Sequence, residues 1–501
     1  MDYIWYPDLI TSIVQMLPFA TLLNIDKTIA VPVYRQIANG IVNAISSGLI
    51  GAGWGLPGTR DLAQQLGVHR KTIIAAYDEL YAQSWIEIRP RKGVKVAQNL
   101  PGLKPQQWDE LSSQGYSDKI PTDFYRAKGE KYLPKGITYP QIVIDDGLCD
   151  PRLSPIEMLM REYKTRAVRR YKQRAIHSTL AAGAPMLREA LVNYFAQTRG
   201  LQVQVSNILV TQGAQMSLYI AANLLLKPGD VIIVGNPNYF VASQVFEQTG
   251  ARIMMVPVDD HGMDVNAVEQ VCNSNKIKAL YVIPHHHHPT TVTLSAERRM
   301  RLLELAREHN FIIIEDDYDY DFHYTSSPYL PLASSKHNGR VIYIGSFSKS
   351  ISSSVRIGFM IGPDDFIEEA AYLRRLIDLR GDYLMEEALA TLLVNGDISR
   401  HLKKSNKIYE QRRDNLCTLL QQYLPDVITF DPPNGGMALW ARFKKEHALP
   451  AIAARAANVG LAMSNGVAFN TDQDFNATRI GFASLTTDEM EEAILTLKGV
   501  I

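Results

Sequence analysis

The sequence has little of what marks several specialised classes of protein. Of its 501 residues only 3 are cysteine, Cys149, Cys272 and Cys417, and they form no CxxC pair. Thiols that are so few and so scattered predict neither a disulfide framework nor a zinc site, and they favour a reducing, cytoplasmic location. Lys and Arg number 52, as do Asp and Glu, so no net charge draws the chain to nucleic acid or membrane. Any such affinity has to come from a local patch.

The chain also lacks long apolar runs. Its apolar opening, residues 1–23, begins with Met-Asp and not with a basic residue, and it is broken by two prolines and an aspartate. No signal peptide and no membrane span are therefore predicted. With 46% hydrophobic and 21% charged residues, the composition is that of a folded protein, which excludes disorder, collagen or coiled coil as its main character.

Changes in composition divide the chain into four segments. Residues 98–143 combine five prolines with polar residues and show no apolar period, which predicts a long linker. The linker separates a small unit at 30–97 from a large unit at 144–501. Residues 1–29 form an N-terminal extension, whose apolar content predicts packing against another domain or subunit.

The small unit has the pattern of a helix-turn-helix. Apolar residues recur at helical spacing through residues 31–47, so a core helix is predicted there. Thr59 is placed to cap a helix over residues 60–66, which Gly67 would end. A second helix is predicted over residues 69–83, so a tight turn joins two short helices.

A basic wing follows these helices in the sequence, with short strands at 85–89 and 94–96 around the turn 90–93. Between residues 56 and 97 there are seven basic and four acidic residues. Arg70 and Lys71 lie in the first turn of the second helix, where they would reach base edges in a major groove. Arg91 and Lys92 at the wing tip would contact phosphate. A solvated basic domain is the alternative, but the order of helix, turn, helix and basic wing favours DNA binding.

Over residues 30–97 the chain resembles the winged-helix domain of GntR-type transcription regulators. The matching segments are 32–37 (PVYRQI), 56–60 (LPGTR), 66–68 (LGV) and 91–93 (RKG). The resemblance implies that operator DNA is a partner. In the family, the residues that match Arg60, Arg70, Thr72 and the wing glycine contact the DNA. Together with their neighbours, the predicted DNA-binding residues are Arg60, His69, Arg70, Lys71, Thr72, Arg91, Lys92 and Gly93.

His69 departs from that family, which usually has serine at this position. A histidine is not expected to cap the recognition helix in the usual way. The preferred DNA sequence is therefore predicted to differ from that of typical relatives.

In the large unit, apolar β-branched runs alternate with helical patterns. Each run is followed by a Gly, Pro or Ser turn and then by a helix-like stretch, such as residues 296–309. Strands that are apolar throughout are buried on both faces, so the pattern predicts an α/β domain with a parallel sheet. Ligands of such sheets bind beyond the carboxyl ends of the strands. The predicted strands are 207–211, 231–234, 279–283, 311–315 and 341–345.

A lysine follows the last of these strands. Lys349 lies in the loop 345–350 (GSFSKS), among the hydroxyls of Ser346 and Ser348, and Arg356 is seven residues further on. A lysine in this position fits a Schiff base with an aldehyde whose phosphate is held by hydroxyls and a guanidinium. Pyridoxal phosphate is such an aldehyde.

Polar groups follow three other strands. The run 312–318 (IIIEDDY) places carboxylates at a strand end, where one of them would keep a pyridine nitrogen protonated and make the ring an electron sink. The segment 211–215 (TQGAQ) opens a helix, so its backbone N–H groups would cradle a phosphate. Tyr239 would stack on the ring. Each signal alone is weak, because such loops are usually only turns or caps, but their repetition at successive strand ends points to a cofactor site.

Together with the front unit, these features resemble the MocR subfamily of GntR regulators, in which a winged helix is fused to a fold type I aminotransferase-like domain. The resemblance covers about residues 144–501 and implies a mostly parallel α/β sheet with a small C-terminal α+β subdomain, and pyridoxal 5′-phosphate as cofactor. By motif, Lys349 would be the Schiff-base lysine, Asp316 the partner of the pyridine nitrogen, and Tyr318 a neighbour of the phenolic oxygen. Arg479 would grip a ligand carboxylate, which its planar fork matches. The other implied cofactor contacts are Gly213, Ala214, Tyr239, Ser346, Ser348 and Arg356.

Two departures from the aminotransferase pattern alter the expected site. The tyrosine that usually reaches the phosphate of the neighbouring subunit is replaced by Ser178, so a weaker phosphate grip is expected. The loop 285–291 reads HHHHPTT, where the family usually ends in Pro-Thr-Gly or Pro-Ser-Gly, and this would reshape the wall near the phenolic oxygen.

Four adjacent histidines also suggest a metal. Neighbours on one loop rarely converge on one ion without distant ligands, so no metal site is predicted.

These parts are consistent with two main functions. The favoured one is a transcription regulator that binds an operator and senses an amino compound, through an aldimine, or the cofactor itself. Binding would shift the balance between two arrangements of the DNA-binding domains. The alternative is a working aminotransferase with an appended DNA-binding domain, and the simplest interpretation is a DNA-binding scaffold with an empty pocket. A homodimer is expected from the resemblance, with each DNA-binding domain lying over the partner's large domain.

Overall fold

A computed structural model of the chain describes most of its sequence, which divides into two units, residues 1–125 and 126–501. The described residues are 19–89, 93–100, 119–120, 122–123, 142–173, 181–324, 329–471 and 473–501. Within these ranges, no helix combines the length and the apolar character that crossing a bilayer requires. All three cysteines are free, buried thiols, as expected for a chain without disulfides.

The small unit is a set of short helices closed by a three-stranded antiparallel sheet. Its elements are α1 (Phe19–Leu22), α2 (Val33–Ser46), β1 (Gly55–Leu56), α3 (Thr59–Leu66), α4 (Arg70–Ala82), β2 (Ile86–Arg89) and β3 (Gly93–Val96). The predicted helices and wing strands are confirmed, and Gly67 ends α3 in the left-handed conformation. The sequence pattern missed β1, which pairs with β3 on the edge opposite to β2.

The apolar stripe of α2 builds the core of the small unit. Ile37 on α2 and Ile73 on α4 are completely buried, as periodic apolar positions facing a core should be. Phe19 and Leu23 are buried in the same cluster. The end of the segment assigned to the N-terminal extension therefore packs on the small unit, which is the domain that follows it in the chain. Residues 1–18 lie outside the described residues.

Two predictions about helix caps are wrong. Helix α3 begins at Thr59 itself, and Gly58 before it contributes no side-chain cap. The Thr59 hydroxyl instead accepts a hydrogen bond from Arg70 Nε at 3.3 Å. His69 does cap α4, because its Nδ1 accepts a hydrogen bond from the backbone N–H of Lys71 at 3.2 Å. A neutral imidazole nitrogen has the lone pair that a serine hydroxyl would otherwise supply.

The large unit is built on an eight-stranded, mostly parallel sheet. Its strand order is β5-β12-β11-β10-β9-β6-β7-β8, and only the pairs made by β12 and by β8 are antiparallel. All five predicted strands lie in it, whereas β7, β8 and β12 were not predicted. The strands of this unit are β4 (Ile142–Ile144), β5 (Ile208–Thr211), β6 (Val231–Asn236), β7 (Arg252–Asp259), β8 (Gly262–Met263), β9 (Ile277–Val282), β10 (Ile312–Asp317), β11 (Val341–Ser346), β12 (Gly358–Ile361), β13 (Ile428–Thr429), β14 (Ala438–Phe443), β15 (Leu461–Met463) and β16 (Ala477–Gly481).

Helices cover both faces of this sheet. In β6, Ile232 and Val234 belong to one buried cluster and Ile233 to another, because successive side chains of a strand point to opposite faces. This double burial explains the continuous apolar runs in the sequence. The helices are α5 (Ile156–Gln173), α6 (Pro185–Arg199), α7 (Ala214–Leu225), α8 (Phe240–Gln248), α9 (Val265–Ser274), α10 (Ala296–Glu308), α11 (Asp364–Asp378), α12 (Tyr383–Val394), α13 (Asp397–Tyr423), α14 (Leu449–Asn458) and α15 (Thr487–Val500).

A smaller α+β part completes the large unit at its C-terminal end, as predicted. Strands β13, β14 and β16 form an antiparallel sheet. Strand β4, from the start of the large unit, pairs in parallel with β15. This pairing brings the residues just after β4 beside β16, although they are far apart in the sequence.

Candidate functional site

The carboxyl ends of the parallel strands border a cavity of about 230 Å³. Strands β5, β6, β9, β10 and β11 run in the same direction, so the residues that follow them meet at one edge of the sheet. This is where a sheet of this class binds its ligands. The cavity is lined by the predicted residues Ala214, Tyr239, Asp316, Tyr318, Ser346, Ser348, Lys349 and Arg356, together with Asp146, Gln215, Ile283 and His288.

Lys349 extends into this cavity from the loop after β11. Its Nζ donates a hydrogen bond to the carbonyl oxygen of Gly147 at 2.6 Å. Burial lowers the pKa of the ammonium group below its usual value, although the carboxylate of Asp146 opposes this effect. A lysine that loses its proton more easily is a better nucleophile toward a carbonyl carbon. Its position and its pKa both suit the bond to an aldehyde that the sequence predicts.

Asp316 at the end of β10 is buried and incompletely hydrogen-bonded. Its Oδ2 accepts a hydrogen bond from the Tyr281 hydroxyl at 2.8 Å, whereas its Oδ1 has no hydrogen-bond partner among the described residues. Burial raises the pKa of this carboxyl to about 7, against the effect of the Tyr281 hydroxyl. A buried carboxylate oxygen without a donor is uncommon. A protonated pyridine nitrogen would supply the hydrogen-bond donor that Oδ1 lacks, so Asp316 fits the ring of pyridoxal phosphate.

Hydroxyls, a guanidinium and a helix N-terminus meet at one end of the cavity. The Ser346 hydroxyl donates to Ser348 Oγ at 3.0 Å, and Arg356 Nη1 donates to the same oxygen at 3.3 Å. Helix α7 begins at Ala214, directly after β5, and leaves its first-turn N–H groups unpaired within the helix. Such a set of donors binds phosphate well.

Two glycines make room for this phosphate cradle. Gly213 precedes α7 with a φ of 90°, a conformation that side-chain-bearing residues rarely adopt. Gly358 begins β12 and packs on it so closely that a Cβ there would lie 2.5 Å from the carbonyl carbon of Gly213. Gly213 was predicted from its motif. Gly358 was missed, because its role depends on strand pairing and not on local sequence.

Aromatic side chains form the walls of the cavity. The rings of Tyr239 and His288 are in edge contact, with centroids 5.0 Å apart and planes at 70°. The Tyr318 hydroxyl donates a hydrogen bond to the carbonyl oxygen of His286 at 3.0 Å. Burial raises the pKa of Tyr318 well above its usual value, so the hydroxyl stays protonated as a donor.

Arg479 on β16 is buried beside the cavity and already has an acidic partner. Its Nε lies 2.5 Å from Oδ1 of Asp146. Its Nη1 donates to the carbonyl oxygen of Pro289 at 3.3 Å. The sequence pattern predicted the guanidinium but not Asp146, which follows β4 and belongs to none of the motifs described above.

The four consecutive histidines are buried, and each has a different partner. They pair as His285 Nε2 with the Tyr329 carbonyl (2.6 Å), His286 Nδ1 with Asp319 Oδ1 (3.0 Å), His287 Nδ1 with Thr290 Oγ1 (2.8 Å) and His288 Nε2 with Asp146 Oδ2 (2.8 Å). In the part of the chain that the structure describes, no three or more His, Cys, Asp or Glu side chains are grouped to hold a metal ion. The imidazoles therefore hold the loop in place. Among these four histidines, His288 lines the cavity.

Those predicted DNA-binding residues of the small unit that the structure describes lie at its surface. Arg60, His69, Arg70 and Lys71 are exposed and Thr72 is half-buried, all at the start of α3 or α4. Gly93 begins β3 with a φ of 85°. Three residues singled out from the sequence lie outside the described residues: Arg91, Lys92 and Ser178.

The raised pKa of Asp316 predicts a pH-dependent stability of the protein without cofactor. Because burial raises this pKa from 3.8 to about 7, the folded chain holds a proton that the unfolded chain releases between these values. The contribution of Asp316 to the free energy of unfolding is therefore fully present below pH 4. As the pH rises to about 7, this contribution is lost, and the loss is on the order of 4 kcal/mol. Urea unfolding of the wild type and of Asp316→Asn across this range measures it.

The Asn side chain is neutral at every pH, so the two proteins should have similar free energies of unfolding near pH 4 and diverge as the pH rises, with the variant the more stable. Parallel curves across the range would contradict the shifted pKa.

Comparison with known families matches both units of the chain. The sequence pattern of aminotransferase class I and II matches residues 153–497. The pattern of bacterial regulatory proteins of the gntR family matches residues 33–96. The two matches together include the exposed residues of α3 and α4 and every residue lining the cavity except Asp146.

Two relatives align along nearly the whole chain, and a solved structure aligns with part of it. The chain is 28% identical to the uncharacterized HTH-type transcriptional regulator YisV of Bacillus subtilis, over 93% of this chain and 95% of the relative. It is 28% identical to the probable rhizopine catabolism regulatory protein MocR of Rhizobium meliloti, over 95% of each chain. Among solved structures, kynurenine aminotransferase of Pyrococcus horikoshii, in complex with PMP, is similar with a TM-score of 0.67 and 28% identity, covering 72% of this chain and 91% of that enzyme.

Proposed function

Because the chain belongs to the class I and II aminotransferase family and, with its GntR-family domain in front, to the MocR-type regulators, we propose that it is a transcription regulator that responds to an amino compound. The cofactor of its large unit is pyridoxal 5′-phosphate. When bound, this cofactor supplies an aldehyde that condenses reversibly with primary amines and a ring that withdraws electrons. The small unit supplies the affinity for operator DNA.

The observation that carries the proposal is the convergence of an accessible lysine, an unsatisfied carboxylate and an anion cradle in one cavity. Lys349 would bond to the aldehyde carbon. The free Oδ1 of Asp316 would accept the N–H of the pyridine ring. Ser348 and Arg356, with the N-terminus of α7, would hold the phosphate.

The remaining side chains would position the ring and the ligand. Tyr239 would stack on the ring, and the Tyr318 hydroxyl would lie near its phenolic oxygen. Gly213, Ala214 and Ser346 would complete the phosphate contacts. Arg479 is proposed to bind a ligand carboxylate. One nitrogen of its guanidinium, Nε, is already paired with Asp146.

Regulation is favoured over turnover for a physical reason. Because the large unit is fused to a DNA-binding domain, ligand binding can change operator binding without repeated turnover. A ligand that prefers one arrangement of the two units shifts the population toward that arrangement. The histidine loop also departs from the usual aminotransferase wall, with His288 lining the cavity. The effector is an amine, an amino acid or the cofactor itself.

A cytoplasmic homodimer is the proposed form of the protein. Two winged helices suit paired half-sites on an operator. In such a dimer each DNA-binding domain would lie over the partner's large domain. Sedimentation as a monomer at micromolar concentration would count against this assembly.

The experiment that tests the function is a visible spectrum of the full chain loaded with cofactor, recorded before and after a panel of amines and amino acids is added. A band that shifts with a ligand, without formation of keto acid, together with a change in operator affinity, supports a regulator. Accumulation of pyridoxamine phosphate and keto acid identifies an aminotransferase instead. No band after reconstitution would refute the cofactor site.

Two substitutions are expected to separate base recognition from phosphate contact. Arg70→Ala should weaken binding to the specific operator by about 1–3 kcal/mol and affect random DNA less, because it removes a base-edge contact. Lys92→Ala should weaken binding to all sequences and reduce the slope of affinity against salt by about 1. Fluorescence anisotropy with operator and random duplexes at several salt concentrations measures both. Equal losses on both duplexes for both variants would contradict this division.

A further inference from the structure

Asp146 places a half-exposed carboxylate at the wall of the cavity, beside the arginine. Its Oδ1 contacts Arg479 Nε at 2.5 Å, and its Oδ2 contacts His288 Nε2 at 2.8 Å. The carbonyl oxygen of the next residue, Gly147, accepts the hydrogen bond from Lys349 Nζ. The positive charge of Arg479 is therefore balanced by a carboxylate that belongs to the protein.

The segment that carries Asp146 is fixed on both sides. Asp145 Oδ1 accepts the backbone N–H of Gly147 at 2.7 Å, and its Oδ2 accepts the Ser484 hydroxyl at 2.5 Å. The carbonyl oxygen of Asp145 accepts the N–H of Gly481 at 2.8 Å, at the end of the strand that carries Arg479. These bonds fix the backbone on either side of Asp146, next to the strand that carries Arg479.

The carboxylate is charged at neutral pH. Burial opposes ionisation, but His288 and Arg479 outweigh it and hold the pKa of Asp146 well below its usual value. Burial lowers the pKa of His288, although the carboxylate of Asp146 opposes this effect. The other charged groups facing this carboxylate are Arg479 and Lys349.

We infer that Asp146 makes the site select primary amines that lack an α-carboxylate over the corresponding α-amino acids. This inference rests on the proposed function, since it concerns the amine that the cofactor-loaded cavity takes. A ligand carboxylate that approached Arg479 would meet the carboxylate of Asp146 at the same guanidinium, and two like charges at short distance repel. An amine without a carboxylate meets no such opposition.

Matched ligand pairs test the inference on the cofactor-loaded full chain. Tyramine is compared with tyrosine, and isoamylamine with leucine, by titrating the shift of the visible band and, separately, the thermal unfolding midpoint. In the wild type the amine of each pair should half-saturate at a concentration at least about tenfold lower than the amino acid. In Asp146→Asn the amino acids should gain at least about tenfold, while the amines change by less than about threefold.

Glu368→Gln is the matched control, because this residue is an exposed carboxylate on α11 and its loss should leave both ratios unchanged. A wild type that prefers the amino acids, or an Asp146→Asn variant that binds cofactor and keeps the wild-type ratio, overturns the inference but leaves the proposed function intact. The wild-type comparison stands even where the variant fails to fold. Absence of any visible band after reconstitution overturns the proposed function, and the inference with it.

Discussion

Replacement of Lys349 by alanine is expected to abolish the visible band of the reconstituted protein and its response to amines. Lys349 is the primary amine that lines the cavity beside Asp316, and burial lowers its pKa in the direction that favours attack on an aldehyde. Without it the cofactor would be held by noncovalent contacts alone. Its affinity should fall at least about 100-fold, or about 3 kcal/mol, which equilibrium dialysis measures.

Two further variants make this result specific. Lys349→Arg keeps a positive charge but should also lose the band, because a guanidinium does not lose its proton in this pH range. Lys403→Ala removes an exposed lysine of α13 and should leave the spectrum unchanged. A normal band in Lys349→Ala would mean that a different amine holds the cofactor, and the assignment of this site would be wrong. Operator binding without ligand should survive in every variant.

Substitution of Gly358 by alanine is expected to damage the phosphate cradle from outside the cavity. A Cβ at this position would lie 2.5 Å from the carbonyl carbon of Gly213, 2.6 Å from its Cα and 2.9 Å from the backbone nitrogen of Ala214. Backbone atoms cannot turn away as a flexible side chain can, so the loop before α7 has to move. The free energy of unfolding should fall by about 1–3 kcal/mol, and the affinity for cofactor at least about tenfold.

Gly499→Ala is the control for this substitution, since a Cβ at that position meets nothing within 4 Å. It should leave cofactor affinity unchanged. Urea unfolding and cofactor titration of the two variants measure the difference. If Gly358→Ala matched Gly499→Ala in both measurements, the close approach of β12 to α7 would have no part in binding.

The parts of the fold that the sequence predicted are those with a local physical cause. The five central strands could be found because burial on both faces makes every residue of each run apolar. The recognition helix could be found from its period and from Gly67, whose left-handed conformation ends α3. Antiparallel strand β12, a run of four residues, was missed.

The cofactor residues were predictable for a related reason. Asp316 lies at the end of an apolar strand, Lys349 follows one and Arg356 precedes one. The topology of the sheet brings these strand ends to one edge. His69 shows the limit of local rules, because its imidazole caps α4 although histidine was not expected to do so. Which ring nitrogen faces a backbone N–H depends on the rotamer, which composition does not reveal.

The sequence by itself determined two units, a DNA-binding pattern, and a lysine with its phosphate-binding neighbours, because these depend on periodicity and on motifs of a few residues. Tertiary structure alone decided that Asp146 meets Arg479 and that Gly358 packs on Gly213. In each case the partners are separated by more than a hundred residues, and the pairing of β4 with β15 or of β12 with β5 brings them together. The charge of the ligand site was thus set by a contact that no local pattern encodes.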